Sequence, residues 1–207
     1  MSEILYSTID GESVFELEEK RSVFIGYAKN VKTESEAKDF IAKIRSKHHD
    51  ARHNCSAYLL RDGCMRYSDD GEPQGTAGIP MLEVIKKSGL VDIVIVVTRY
   101  FGGILLGAGG LVRAYSAAAS GALKQAEIAD YIKCVTFTVD VDYPQYDKLL
   151  RVMQSSESRV IDTLYNDKIK VMGVIASESY AEFEKKITEC FAGRLNVSFD
   201  NEIIEKI

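Results

Sequence analysis

The 207-residue chain has no tryptophan, three prolines, three histidines and four cysteines. Cys55, Cys64, Cys134 and Cys190 are scattered with no C-x-x-C pair, so free buried thiols in a reducing compartment are expected. The histidines lie together at 48, 49 and 53, and neither Ser68 nor Ser116 stands in a G-x-S-x-G elbow, which leaves nucleophilic catalysis without a sequence signal. No run approaches the ~18–20 uncharged apolar residues of a membrane helix, since 91–97 is interrupted by Asp92 and followed by Arg99. The N-terminus, MSEILYSTIDGE, lacks the basic and apolar regions of a signal peptide. A soluble, cytoplasmic protein without membrane contact is expected. Basic charge is also short: 26 Lys and Arg face 31 Asp and Glu, a formal net charge of −5. That excludes coating nucleic acid through net charge alone and confines any phosphate binding to a local site.

What is present suffices for a core, with 46% apolar residues in a length between one large domain and two small ones. Segments 14–18 and 22–29 suit strands joined at 19–21. Thr33 stands three residues before Glu36, a capping-box spacing, and Ala37, Phe40, Ile41 and Ile44 follow on one helical face. His48 and His49, near the end of that helix, read as surface partners of its dipole. Strands at 56–60 and 64–67 flank an Arg-Asp-Gly turn, and a helix starts at Pro80 and stops at Gly89. Segment 91–98 is apolar on both parities, as in a strand buried on both faces, and 111–126 reads as a helix of small residues.

The second half changes rhythm: strand 132–142, helix 144–154, strands 158–165 and 169–176, helix 179–192 capped by Ser179 and Glu182, and strand 194–202. This βαββαβ order is the ferredoxin-like pattern. The expected fold class is α+β, with one domain at 1–131 and a ferredoxin-like domain at 132–207.

Two segments stand apart. Residues 68–80, SDDGEPQGTAGIP, place Asp69, Asp70 and Glu72 among three glycines and suit neither helix nor strand. Closely spaced carboxylates can ligate Mg²⁺ or act as acid and base, or simply cap turns. Residues 98–115 hold Gly102, Gly103, Gly107, Gly109 and Gly110 between a strand and a helix, flanked by Arg99 and Arg113. Backbone N–H groups at a helix start bind anions, and guanidinium groups add charge-assisted contacts; the same glycines also permit close packing. Nucleotide fingerprints fail: Ala108 and Gly109 replace the Lys and Ser/Thr of a P-loop, and the third glycine of the dinucleotide motif is missing at 112. His53, Cys55 and Cys64 are too irregularly spaced for a zinc site, and no metal or cofactor is expected.

DGEPQGTAGIP at 70–80, VVTRYFGGILLGAGGLVRAY at 96–115 and the upstream RHNCSAY at 52–58 resemble the signature of the IMPACT/YigZ family. The resemblance implies an N-terminal domain with the fold of the second domain of a small-subunit ribosomal protein, including a left-handed βαβ crossover. It also implies a C-terminal domain similar to domain V of elongation factor G. Eukaryotic members regulate translation by blocking activation of an amino-acid-starvation kinase through its activator, using an additional N-terminal RWD domain. A general link to translation is therefore implied here. The expected function is a non-catalytic binding protein that contacts RNA or a ribosome-associated partner through a Gly-rich cleft. Its candidate residues are His53, Asp70, Glu72, Thr76, Arg99, Gly102, Gly103, Gly107, Gly109, Gly110 and Arg113. The alternative is an enzyme acting on a small phosphorylated or peptide-like substrate, with His53 and Asp70 or Glu72 as acid, base or metal ligands.

Overall fold

Apolar residues on both faces of one central strand set the architecture of the N-terminal unit. In a computed structural model, which describes residues 3–156 and 158–206, the first half runs β1 (Ile4–Asp10), β2 (Glu12–Glu19), β3 (Ser22–Asn30), α1 (Glu34–Lys47), β4 (His53–Leu59), β5 (Met65–Ser68), α2 (Gly78–Ser88), β6 (Ile93–Tyr100) and α3 (Gly107–Gln125). The strands form an antiparallel sheet in the order β2-β3-β6-β4-β5. Val94 and Val96 of β6 pack with Tyr27, Tyr58 and the α1 residues Ala37, Phe40 and Ile44. Ile93, Ile95 and Val97 face the other way, into a cluster with α2 and α3. The small residues of α3 are explained there, because the helix lies so close to β3 that a Cβ on Gly26 would stand 2.5 Å from the Ala118 carbonyl oxygen.

Two crossovers connect parallel strands of this sheet, β3 to β4 through α1 and β5 to β6 through α2. They run in opposite senses along the sheet, between strand pairs of opposite direction, and over opposite faces. Their hands are therefore opposite, and one is left-handed against the general rule.

The second half contains β7 (Glu127–Val141), a 3-10 turn (Tyr143–Gln145), α4 (Tyr146–Gln154), β8 (Ser158–Tyr165), β9 (Ile169–Ala176), α5 (Tyr180–Cys190) and β10 (Val197–Lys206). β9 and β10 pair with overlapping stretches of β7, so these strands are ordered β10-β7-β9-β8, the ferredoxin-like arrangement, and β1 also pairs with β7. Phe137, Val139 and Val141 bury against Leu149 and Met153 of α4 and Phe183 and Ile187 of α5. The chain divides into two compact units, Tyr6–Ala129 and Met1–Leu5 with Asp130–Ile207.

Several local expectations are corrected. Ser179 sits at helical dihedrals (φ −100°, ψ −10°) and makes no side-chain cap, because a capping hydroxyl needs an extended backbone to reach back over the first turn. The Thr33 box does form, with Thr33 Oγ1 accepting from Glu36 N–H, although Glu36 reaches back to Lys32 N–H rather than to Thr33. Cys190 is exposed and Cys64 half-buried; only Cys55 and Cys134 are buried thiols.

His48 is not a surface residue. It lies between the hydroxyls of Tyr27 (2.7 Å from Nε2) and Tyr100 (2.9 Å from Nδ1). Desolvation lowers its pKa, Lys47 pushes the same way, and Asp50 opposes them. With a folded pKa below the ordinary ~6.5, the unfolded chain protonates first, so this stabilisation is present above about pH 6.5 and is lost as pH falls towards the folded value. Thermal melts between pH 7 and pH 5 should show a falling Tm whose slope flattens in His48→Gln; an unchanged slope contradicts the assignment.

Candidate functional site

Arg99, on β6, pairs in register with Phe24 of β3 on one side and His53 of β4 on the other, so three neighbouring strands present these side chains together. Arg99 is only 5% exposed. Its Nη1 donates to Glu72 Oε1 at 2.7 Å, and the guanidinium lies 5.4 Å from the centre of the Phe24 ring and 5.5 Å from that of Phe101. Its Nε–H is buried without a hydrogen-bond partner among the described residues. Buried donors are almost always satisfied, and Arg99 is a residue that lines a cleft, so its orphaned N–H calls for an acceptor.

Glu72 arrives from the loop after β5, and its Oε1 also accepts from the Tyr115 hydroxyl at 2.8 Å. Burial, with Cys55 and Glu72 nearby, pushes the Tyr115 phenol up, so it stays a donor. Burial likewise raises the Cys55 thiol to about 12, and its Sγ–H donates to the Asp69 carbonyl. That thiol is an inert packing group rather than a nucleophile. The ring of His53 is oriented by the Asp70 carbonyl oxygen, 2.8 Å from Nδ1. A carbonyl can only accept, so Nδ1 carries the proton and Nε2 stands 3.8 Å from Glu72 Oε1.

His53, Glu72 and Arg99 line one cleft of about 320 Å³, to which Arg52, Phe101, Leu105, Leu106, Gly107 and Ala108 also contribute, while Tyr115 and Cys55 lie behind this lining. Gly107 and Ala108 open α3, whose N-cap position is Leu106; the helix has no side-chain cap and no acidic residue in its first turn. The contrast with α2 is instructive. Asp69 Oδ1 accepts from Ala77 N–H and Gly78 N–H, and its Oδ2 from Gly75 N–H, so a protein carboxylate already occupies that helix start. Among the described residues no side chain caps α3, and its first residues, Gly107 and Ala108, line the cleft, which sets the positive end of the helix dipole beside it. Arg113 is exposed and reaches back along α3, its Nη1 3.7 Å from where a Cβ on Gly109 would lie.

His53, Glu72, Arg99 and Gly107 thus meet at the cleft, whereas other candidates do different work. Asp70 turns away, its carboxylate taken by Arg45 Nη2 and Asn54 N–H, both at 2.7 Å. The Thr76 hydroxyl donates to the Pro73 carbonyl within its own turn. Gly102 lies against the backbone of Arg21, Gly110 packs under Leu106, and Gly103 (φ +84°) turns the loop in open space. The glycine segment is not wholly a loop, since α3 begins at Gly107, four residues before the expected start. Cys55 and Cys64 belong to clusters on opposite faces of the sheet, and among the described residues no three His, Cys, Asp or Glu side chains converge as metal ligands. Sequence reasoning missed Arg52, Phe101, Ala108 and Tyr115. Tyr115 was in principle detectable, because it falls four residues after Leu111 on the buried stripe of α3.

Comparisons with known proteins agree with this architecture. The sequence model of the Impact N-terminal domain matches residues 20–123, and that of a domain of unknown function, DUF1949, matches residues 139–194. The IMPACT family member YvyE of Bacillus subtilis is 37% identical, over 93% of this chain and 89% of that protein. The IMPACT family member YigZ of Escherichia coli is 34% identical, over 86% of this chain and 89% of its own. A crystal structure of a protein described only as hypothetical is 32% identical and superposes with a TM-score of 0.60, covering 93% of this chain and 95% of the other.

Proposed function

The chain belongs to the IMPACT family, and from that premise we propose that it is a non-catalytic binding protein linked to translation, whose N-terminal cleft grips a phosphate of an RNA partner. The observation that carries this reading is the buried Arg99 with its unpartnered Nε–H, set beside the uncapped start of α3. The family resemblance supplies the link to translation. Residues 135–207 carry 9 basic and 13 acidic side chains, so contact is made at one site rather than along a basic face. Few phosphates are then neutralised, and log K falls with log salt with a slope of about −2 or shallower, at ~0.7 per phosphate for a single strand. The setting is cytoplasmic in this reading, and among the described residues no helix is long and apolar enough to cross a membrane.

Ala108, exposed in the first turn of α3, offers the cleanest test. Aspartate there complements the helix dipole, a stabilisation of about 0.3–1 kcal/mol, while setting a negative charge where the phosphate binds. Ala108→Asp should keep or raise the Tm and weaken single-stranded RNA binding at least about tenfold, one decade being worth ~1.4 kcal/mol. Undiminished affinity by fluorescence anisotropy removes the cleft as the site.

His53 Nε2, facing Glu72 across 3.8 Å, favours a second reading, acid–base chemistry on a small phosphorylated or peptide-like substrate. It predicts release of inorganic phosphate from sugar or nucleoside phosphates, abolished in His53→Gln. Binding without release leaves the first reading alone.

A further inference from the structure

A phosphate on a nucleic acid is either internal, a diester between two sugars, or terminal, a monoester with three free oxygens and nearly two charges. The cleft discriminates between them. Its volume of about 320 Å³ lies at the lower end of the ~300–1,000 Å³ typical of ligand pockets, room for one nucleotide rather than a strand. Arg99 is 5% exposed, so a group that reaches its Nε–H must enter end-on. A diester carries a nucleoside on either side, and a cleft of this size, walled by Leu106 and Leu111, has room for one of them.

The donors point the same way. Arg52, Arg99 and the start of α3 bring positive charge to the cleft, and a monoester, with nearly two charges and three free oxygens, gains more from that charge than a diester with one charge and two. Arg99 balances the charge of Glu72, which also accepts from Tyr115, so that pair is neutral and the net attraction for an anion comes from Arg52 and the start of α3. At the mouth, Phe101 is 42% and Leu105 82% exposed, apolar surface suited to a ribose and base. Resting on the anion-binding reading above, we propose that the cleft holds the terminal phosphomonoester of an RNA strand rather than its internal backbone.

The test uses the full chain and single-stranded RNA ten-mers of one sequence carrying a 5′-phosphate, a 3′-phosphate or hydroxyls at both ends, with adenosine monophosphate and adenosine as competitors. One phosphorylated end should bind at least tenfold more tightly than the hydroxyl-ended strand, adenosine monophosphate should compete where adenosine does not, and Ala108→Asp should erase the difference between ends. Equal affinity for all three strands, lost in Ala108→Asp, overturns the terminal-phosphate inference while the anion cleft stands. Direct binding of adenosine monophosphate, read by calorimetry, with no binding of any strand overturns the RNA end as ligand. Failure of every strand, the nucleotide and inorganic phosphate to bind overturns both.

Discussion

Arg99→Ala is expected to destabilise the N-terminal unit by about 3–5 kcal/mol, the usual consequence of removing one partner from a buried ion pair. The side chains of Arg99 and Glu72 are 7% and 3% exposed, so the variant leaves a buried carboxylate with only the Tyr115 hydroxyl to offset it. The double variant Arg99→Met with Glu72→Gln should recover at least half of the loss, because neither charge is then stranded. Denaturant unfolding of the two variants decides this; a double variant no more stable than Arg99→Ala contradicts the pairing. Arg99→Lys separates stability from binding. It retains a cation for Glu72 but has no Nε–H, so it should fold and bind phosphate more weakly.

Gly102→Ala is expected to destabilise by about 3 kcal/mol or more, because overpacking against immobile atoms is relieved only by moving backbone. A Cβ at Gly102 would lie 2.0 Å from the Arg21 carbonyl carbon and oxygen and 2.4 Å from Ser22 N. The contact anchors the loop that carries Phe101 and Leu105 to β3, reinforced by Gly102 N–H donating to Ser22 Oγ at 3.1 Å. Gly103→Ala, one residue on, meets open space and carries only the strain of φ +84°, about 1–2 kcal/mol. Similar stabilities for the two variants would show that the loop does not dock in this way.

These two residues also show how far the fold and site are legible from sequence. Two-parity apolarity at β6 and the alternating rhythm after residue 130 report burial directly; β6 is found within two residues of its expected bounds and β8 and β9 at theirs, whereas the last strand, expected at 194–202, runs Val197–Lys206. β1 and the early start of β7 are not legible, because their inward residues include Thr8 and Ala129, which carry little hydrophobic signal. At the site, residue types are legible but side-chain directions are not. Asp69, Asp70 and Glu72 lie within four positions, yet positive φ at Asp70 (+43°) and Gly71 (+84°) sends them to an amide cluster, to Arg45 and to Arg99 respectively. The glycines divide in the same way, since Gly102 answers a close approach and Gly107 the turn into a helix, and composition alone does not tell one use from the other.

In the proposed reading Arg99 Nε–H and the start of α3 together receive an anion. Titrating ¹⁵N-labelled protein with inorganic phosphate tests it most directly, following the Arg99 Nε–H resonance, the amides of Gly107, Ala108 and Gly109, and those of Ala77 and Gly78 as an internal control. The account predicts that the Arg99 and α3 resonances shift together along one binding curve, while Ala77 and Gly78, already held by Asp69, stay in place. Shifts confined to other parts of the chain, or α3 and Arg99 resonances unmoved by phosphate, contradict it.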